Sequence, residues 1–511
     1  MDSHPLSFHR ITRSISNRIP HPQHDHGQAL VLVPALVILI GLALRVLMLG
    51  IDVRLHPDEA LFAAQARLIN HQGDWLLRGT DLDKPPLTFY VTALSFRTLG
   101  TTEFAARVPN VFFSAMSLAL LYRLAWTLYG DRSTATLAAL LCALSPYDLA
   151  FAATAFTDIQ ATFWTLSAAV GAVSDRWRLA GVAAVFVAAT KPNALLFLPL
   201  ILALGITHTA QTQWHLRDIS RRMWALTWPL LSGVGILVLW DMGRAPRSFI
   251  ELGYTRNNPG RLIRAAEVWP RLKAWGHWLN FMTGVPALNG LLLVAIPLRI
   301  AYDSLCNRSR AAATDWLIAG FGIAFLAWHW LIAFNTYDRY LHTLVPFVLL
   351  LTARTLVWLA RSIDPIVHKP RLETLGIVIA VALVMLPATL NVLQGKAAIG
   401  GDQGQHSGII PLAGYLNTVL SDETVYDHWL GWELAFYLGE SPTVTLLHAP
   451  LPEAVAADML NTRATRRYLV TPDPPTAALW IRVLRQAGIT VTTIYHDITH
   501  GFVIYRLESP D

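Results

Sequence analysis

Charge is what this sequence has least of. Of 511 residues, 14% are Asp, Glu, Lys or Arg and 54% are hydrophobic, and the mean hydropathy is +0.41. A soluble domain carries about 25% charged residues, so this shortage excludes a chain whose main solvent is water. Cysteine is scarcer still. Cys142 lies in an apolar run and Cys306 in a basic loop, a pattern that excludes a disulfide-stapled fold. Zinc-finger spacing, internal repeats and basic helices free of apolar neighbours are all missing. The net charge of +6 therefore does not point to nucleic acid, because basic residues between hydrophobic runs fix membrane orientation.

What is present is a series of apolar runs. A bilayer-spanning helix needs about 20 apolar residues, and about eleven runs approach that length. They predict helices near 30–50, 104–128, 134–150, 154–173, 177–190, 194–207, 223–241, 286–301, 315–334, 341–360 and 374–393. With the N-terminus inside, the inner loops carry Arg132; Asp175, Arg176 and Arg178; Arg217, Arg221 and Arg222; Arg308 and Arg310; and Arg361, Lys369 and Arg371. That is the positive-inside pattern. Residues 1–28, polar and rich in histidine with Arg10, Arg13 and Arg18, read as a disordered cytoplasmic tail.

Three outer segments are long. In the first, 57–72 places Leu61, Ala64 and Leu68 at helical spacing, and 86–100 is a short apolar stretch with Arg97. Both predict helices lying in the interface. The second, 242–285, is rich in arginine and departs from the charge rule. The third begins after about residue 394 with GGDQGQHSG, a shift to soluble patterning. There YLNTVLSD and WELAFYLGE read as helices, and TVTLLH, RRYLV, ITVTTIYH and GFVIYRLE as strands. The expected fold is an α-helical polytopic membrane protein: a transmembrane domain over 29–395 with outer-side loop helices within 57–100, then a small soluble α/β domain on the extracytoplasmic side over 396–511.

Charges near a bilayer are costly, so their positions carry information. Asp58 and Glu59 sit in HPDEA, Asp83 and Lys84 in DKPPL, Arg107 in AARVPN, Asp158 in FTDIQ, Lys191 in ATKPN, and Arg339 with Tyr340 in YDRYL. The loop charges place all of them at the same outer face. Carboxylates beside fixed cations suit transfer from an anionic, lipid-linked donor. A carboxylate takes a proton from an acceptor hydroxyl, while lysine and arginine hold a phosphate as charge grows on it.

The stretches HPDEALFAAQARLI, DKPPLTFY, AARVPN, FTDIQATF, ATKPNALLFLPL and DRYLHTLVPF resemble the membrane glycosyltransferases of the dolichyl-phosphate-mannose–protein mannosyltransferase superfamily. Within it, the bacterial aminoarabinose transferases of lipid A are the nearest in type. The resemblance covers roughly residues 30–360, and TVYDHWLGWELAFYLGESPTV is loosely similar to the soluble domain of those bacterial members. It implies the GT-C fold and inverting transfer of a sugar from a polyprenyl-phosphate carrier to a hydroxyl of a lipid, glycan or protein. It matches Asp58 to the family's catalytic carboxylate and Glu59 to its acidic neighbour. Lys84, Arg107, Asp158, Lys191 and Arg339 match positions used for donor phosphate or site architecture, and Tyr340 joins this substrate-binding set. The resemblance implies no required metal; a divalent ion at Asp58, Glu59 and Asp158 is the alternative.

Plainer readings stand beside these. Glu59 could simply serve the N-terminus of the helix at Pro57, Lys84 could pair with Asp83, and Arg107 could snorkel to the interface. In loop 242–285, Arg244, Arg247, Arg256, Arg261, Arg264, Arg271 and Lys273 fit either a mobile lid over an anionic ligand or contacts with lipid headgroups. The alternative function is a secondary transporter of a sugar or anionic solute, which would place charges near the midplane and often in repeated halves. A polysaccharide ligase or scaffold is a third, weaker reading.

Overall fold

The computed structural model describes residues 28–209, 215–307, 310–363, 370–462 and 464–509. The N-terminal tail, Arg308 and Lys369 lie outside the described residues. Every apolar run coincides with a helix. These are Gln28–Met48, Glu103–Tyr129, the pair Arg132–Leu144 and Pro146–Ala152, Thr157–Val173, Trp177–Thr190, Pro192–Phe197 running into Leu198–Thr209, Leu216–Met242, Pro286–Tyr302, Arg310–Leu331, Val345–Ile363 and Pro370–Leu393. Among the described residues, seven helices are long and apolar enough to cross a bilayer, and the bent pair makes an eighth. Trp177–Thr190, at 14 residues, reaches only about 21 Å of a hydrocarbon core near 30 Å. The chain is a multi-pass membrane protein.

Arg132–Leu144 is the centre of the bundle. Its residues from Ser133 to Leu144 are all buried, as befits a helix apolar on every side. It packs against Gln28–Met48, Glu103–Tyr129, Val345–Ile363 and Pro370–Leu393. Small side chains permit the close approach. A Cβ on Gly41 would lie 2.3 Å from Leu118 Cδ1 and 3.0 Å from Ala143 Cβ. The chain then breaks by 58° at Ser145–Pro146. A break frees carbonyls that lipid cannot satisfy, and here other helices supply donors. Arg45 Nη2 donates to the Cys142 carbonyl at 3.2 Å, Arg45 Nη1 to that of Ala143 at 3.5 Å, and Thr389 Oγ1 to that of Leu144 at 2.7 Å. Arg45 is itself fully buried and paired with Asp148, just past the break. Both cysteines are free.

The first outer segment forms the two expected helices, Pro57–Gln72 and Leu87–Leu99. The sequence His56-Pro57-Asp58-Glu59 builds the first N-terminus. The Asp58 N–H donates to His56 Nδ1 at 3.1 Å, the His56 N–H donates to Glu59 Oε2 at 3.0 Å, and Pro57 occupies the first turn. This is a reciprocal cap.

The C-terminal part holds one mixed sheet: β1 Thr424–Asp427, β2 Thr445–His448, β3 Arg466–Thr471, β4 Thr490–His496 and β5 Val503–Glu508, in the order β2-β1-β3-β5-β4. β1 runs parallel to β2 and β3, whereas β5 is antiparallel to β3 and β4. The four expected strands are present, and β1 is an addition. Helices Ile409–Val419, Gly431–Tyr437, Pro452–Thr462 and Pro474–Gln486 flank the sheet. The DITH turn closes because Asp497 Oδ1 accepts the Thr499 and His500 N–H groups at 3.0 and 3.1 Å.

The segment leading into this part is pinned by His406. Its Nδ1 meets Asp402, and its Nε2 lies 3.0 Å from Glu433 Oε1. Burial opposes the imidazolium charge, but the two carboxylates together outweigh it and push its pKa up to about 9 from 6.5. A raised folded-state pKa adds stability that is complete below the unfolded value and is lost as pH climbs through the folded one. The melting temperature should therefore fall between roughly pH 7 and 10, and His406→Asn should flatten that decline. Thermal unfolding of the full-length protein across this range checks it, and identical pH profiles would contradict it.

Candidate active site

The site begins at the N-terminus of helix Pro57–Gln72. Asp58 projects from its first turn, half-buried, and pairs with Arg339. Arg339 belongs to a short 3-10 turn, Asp338–Leu341, between two spanning helices. Its guanidinium also lies 4.8 Å from the Phe156 ring and 4.7 Å from the Tyr337 ring. Beside it Lys191, at the end of Trp177–Thr190, pairs with Asp158 and sits 4.8 Å from the Tyr340 ring. Burial, with the like charges of Arg339 and Lys84, holds the Lys191 ammonium below its ordinary pKa, while Asp158 pulls it back up. Burial pushes the Tyr340 hydroxyl up to about 12, so it stays a protonated donor at neutral pH. Lys84 donates to Asp83 at 2.7 Å and reaches Asn257 at 3.4 Å. Asp58, Lys84, Asp158, Lys191, Arg339 and Tyr340 thus converge from five separate stretches of chain.

Glu59 and Arg107 do not join this group. Glu59 is fully buried. One carboxylate oxygen caps its own helix, and the other accepts the Ala155 N–H at 2.6 Å and lies 3.5 Å from Arg107 Nε. Arg107 donates to the Val53 and Arg54 carbonyls, each at 2.8 Å. Both residues bond to each other and to the backbone segment that leads into Asp58. The acids also stand apart as metal ligands. Among the described residues no group of three or more His, Cys, Asp or Glu side chains is arranged to hold a metal ion.

The arginine-rich loop 242–285 links two walls of the site. Arg244 is buried and donates to the carbonyls of Leu76, Leu77 and Thr80 at 2.6, 2.5 and 3.1 Å. Asp81 and Asp83 form a D-x-D spacing that the sequence reading passed over. Asp81 lies 3.5 Å from Arg247 and 3.4 Å from Arg256, and Asp83 holds Lys84. On the other side, Leu262 bridges Ile332, and Arg271 donates to the Phe334 carbonyl at 2.6 Å. Arg264 and Lys273 are exposed.

Other residues that sequence reasoning missed lie beneath the site. His342, 1% exposed, meets Thr162 Oγ1 at 2.8 Å through Nδ1 and approaches Asp148 at 3.4 Å through Nε2. Asp148 in turn accepts from Arg45 and from Ser114 Oγ, the latter at 3.2 Å. Arg45 was findable: a guanidinium inside an apolar run demands a partner.

Removing one member of a buried ion pair strands the other, at a cost of about 3–5 kcal/mol. Glu59→Ala should therefore lower the melting temperature sharply, whereas Asp58→Asn, which keeps the side chain's size at a partly exposed site, should lower it less. Unfolding curves for the two variants in the same detergent check this, and a wild-type melting temperature for Glu59→Ala would contradict it.

Comparison with known proteins bears on this geometry. Residues 83–240 match the family described as dolichyl-phosphate-mannose-protein mannosyltransferase. An undecaprenyl phosphate-alpha-4-amino-4-deoxy-L-arabinose arabinosyl transferase of Pectobacterium carotovorum is 30% identical over 165 residues, 29% of this chain and 30% of the relative. The same-named protein of Yersinia enterocolitica is 36% identical over 102 residues, 19% of this chain and 18% of the relative. The chain therefore matches less than a third of the length of these relatives. The crystal structure of ArnT from Cupriavidus metallidurans bound to undecaprenyl phosphate superposes with a TM-score of 0.63 at 14% identity, covering 94% of this chain and 98% of that one. The apo oligosaccharyltransferase of Archaeoglobus fulgidus gives 0.57 at 13% identity, over 93% of this chain and 74% of that one. At such identities the likeness is one of architecture: the chain shares the GT-C fold of these two structures.

Proposed function

We propose that the protein transfers a sugar from a polyprenyl-phosphate carrier to an acceptor hydroxyl, with inversion, at the extracytoplasmic face of the cell membrane. The observation that carries this reading is the Asp58–Arg339 pair, partly exposed near Lys191 and Lys84. The similarity to proteins named for undecaprenyl-phosphate sugar transfer supports the donor class. The basic inner loops support the assignment of the face.

In this reading Arg339, Lys191 and Lys84 bind the donor phosphate, and Tyr340 lends its hydroxyl. Phosphate competes with Asp58 for Arg339, which frees the carboxylate. The acceptor hydroxyl oxygen attacks the anomeric carbon on the side opposite the phosphate. A new C–O bond forms as the bond to the phosphate oxygen breaks, the phosphate leaves with the electron pair, and the hydroxyl proton passes to Asp58. The three cations stabilise the departing polyprenyl phosphate. No metal is required by these steps. Residues 29–395 make up the transfer unit, and 396–511 form an extracytoplasmic domain. The charged groups lie at helix ends and in loops rather than in repeated halves, which favours an enzyme over a transporter.

Asp58→Asn removes the base and keeps the size. A positioned base contributes about 10²–10⁴-fold, so release of polyprenyl phosphate by the purified variant in lipid should drop on the order of 100-fold or more. Turnover near the wild-type rate would remove Asp58 from the mechanism.

A further inference from the structure

Two of the contacts between the C-terminal part and the membrane part lie next to the members of the Asp58–Arg339 pair. The first contact is Tyr437, the last residue of helix Gly431–Tyr437. Its hydroxyl accepts the Leu55 N–H at 2.7 Å and donates to Glu103. Burial, reinforced by Glu103, raises the pKa of this phenol, so it keeps its proton and donates at neutral pH. Glu103 in turn lies 3.1 Å from Arg54. Leu55 is three residues before Asp58, and the chain between them has no soft joint. The His56 and Asp58 N–H groups are both used in the cap, and Pro57 restricts φ. Arg107 holds the two preceding carbonyls. A shift at Leu55 is therefore passed to Asp58.

The same short helix grips Asp58's own helix a second time. Arg67 donates to the carbonyls of Phe436 and Ala435 at 2.9 and 2.5 Å. These are end-of-helix acceptors, and the Phe436 carbonyl also accepts the Gly439 N–H at 3.1 Å. The second contact serves Arg339. The Gly400 N–H donates to Asp338 Oδ2 at 2.9 Å, while Asp338 Oδ1 accepts the Arg339 N–H at 2.8 Å. His406, between Asp402 and Glu433, ties the Gly400 segment to the Tyr437 helix.

We infer that Tyr437 is a positioning residue for the Asp58 carboxylate, so that residues 396–511 set the geometry of the transfer step itself. The inference rests on the role proposed for Asp58. It follows from the bonding: one phenolic oxygen joins a backbone N–H of the Asp58 strand to a carboxylate at the start of another helix. Tyr437→Phe deletes that single oxygen and keeps the ring. Misplacement of a reacting group by about 1 Å costs on the order of 10²-fold in rate, so partial loosening should lower kcat by roughly 10-fold while the donor KM changes less than about twofold.

The test uses full-length protein in lipid, with Tyr437→Phe compared against Tyr426→Phe. The Tyr426 hydroxyl bonds Asp458 inside the C-terminal part, so its loss perturbs that part without touching Leu55. Two readouts are taken: kcat and KM for polyprenyl-phosphate sugar, and amide hydrogen exchange of a peptide covering 53–58. A kcat loss with steady KM and faster exchange at 53–58, seen in Tyr437→Phe alone, supports the inference. A kcat within twofold of wild type, unchanged exchange at 53–58, or an equal loss in Tyr426→Phe overturns it. If the wild type itself releases no polyprenyl phosphate, the proposed reaction fails, and the exchange readout still decides whether Tyr437 holds the Asp58 strand.

Discussion

A charge withdrawn from water persists only beside a partner, and in this chain the partner repeatedly comes from another helix. Arg45 of the first helix finds Asp148 beyond the central break, Glu59 finds Arg107, Asp158 finds Lys191, and Arg299 finds Asp315. Apolar packing in a bilayer does little to select which helices meet, because lipid tails are as apolar as leucine. These pairs do select, since each requires particular neighbours in one register. The fold is thereby stapled at points where a charge would otherwise be stranded.

The staples sort into two ends. At one, Arg299 and Arg354 share Asp315 at 2.7 and 3.0 Å, Tyr129 donates to Asp315 at 2.7 Å, and Arg299 reaches Asp303 at 3.0 Å. This network ties four helices together around the fully buried Asp315. At the other end the pairs are opened. Asp58, Lys84, Lys191 and Arg339 keep part of their side chains exposed, and their partners come from loops and turns. Where the cations keep part of their side chains in solvent, an anionic ligand competes with the carboxylates for them. Asp58 and Lys84 are the most exposed charged members of the two groups, with 21% and 23% of their side chains in solvent.

Much of this was legible in the sequence. The apolar runs located all the helices of the bundle, because a long run has no other stable fate in lipid. Asp58, Lys84, Asp158, Lys191, Arg339 and Tyr340 were legible as a group because each interrupts apolar sequence at a place the loop charges assign to one face. The shape of the spans was not, since run length does not reveal that Trp177–Thr190 has only 14 residues and that Pro146 begins a bent second piece. Glu59 and Arg107 carry the same motif signal as Asp58 and Lys84, and only geometry shows that their charges are turned on each other and on backbone. His342, Tyr437 and His406 were invisible for a different reason. Their partners, Thr162, Leu55 and Glu433, are brought near by tertiary structure alone.

The account depends most on where an anionic lipid carrier settles. An experimental structure of the protein solved with bound polyprenyl phosphate measures this directly. The account predicts phosphate density within hydrogen-bond reach of Arg339 and Lys191, with the Asp58–Arg339 contact opened. Phosphate bound elsewhere, with that contact intact, would contradict it.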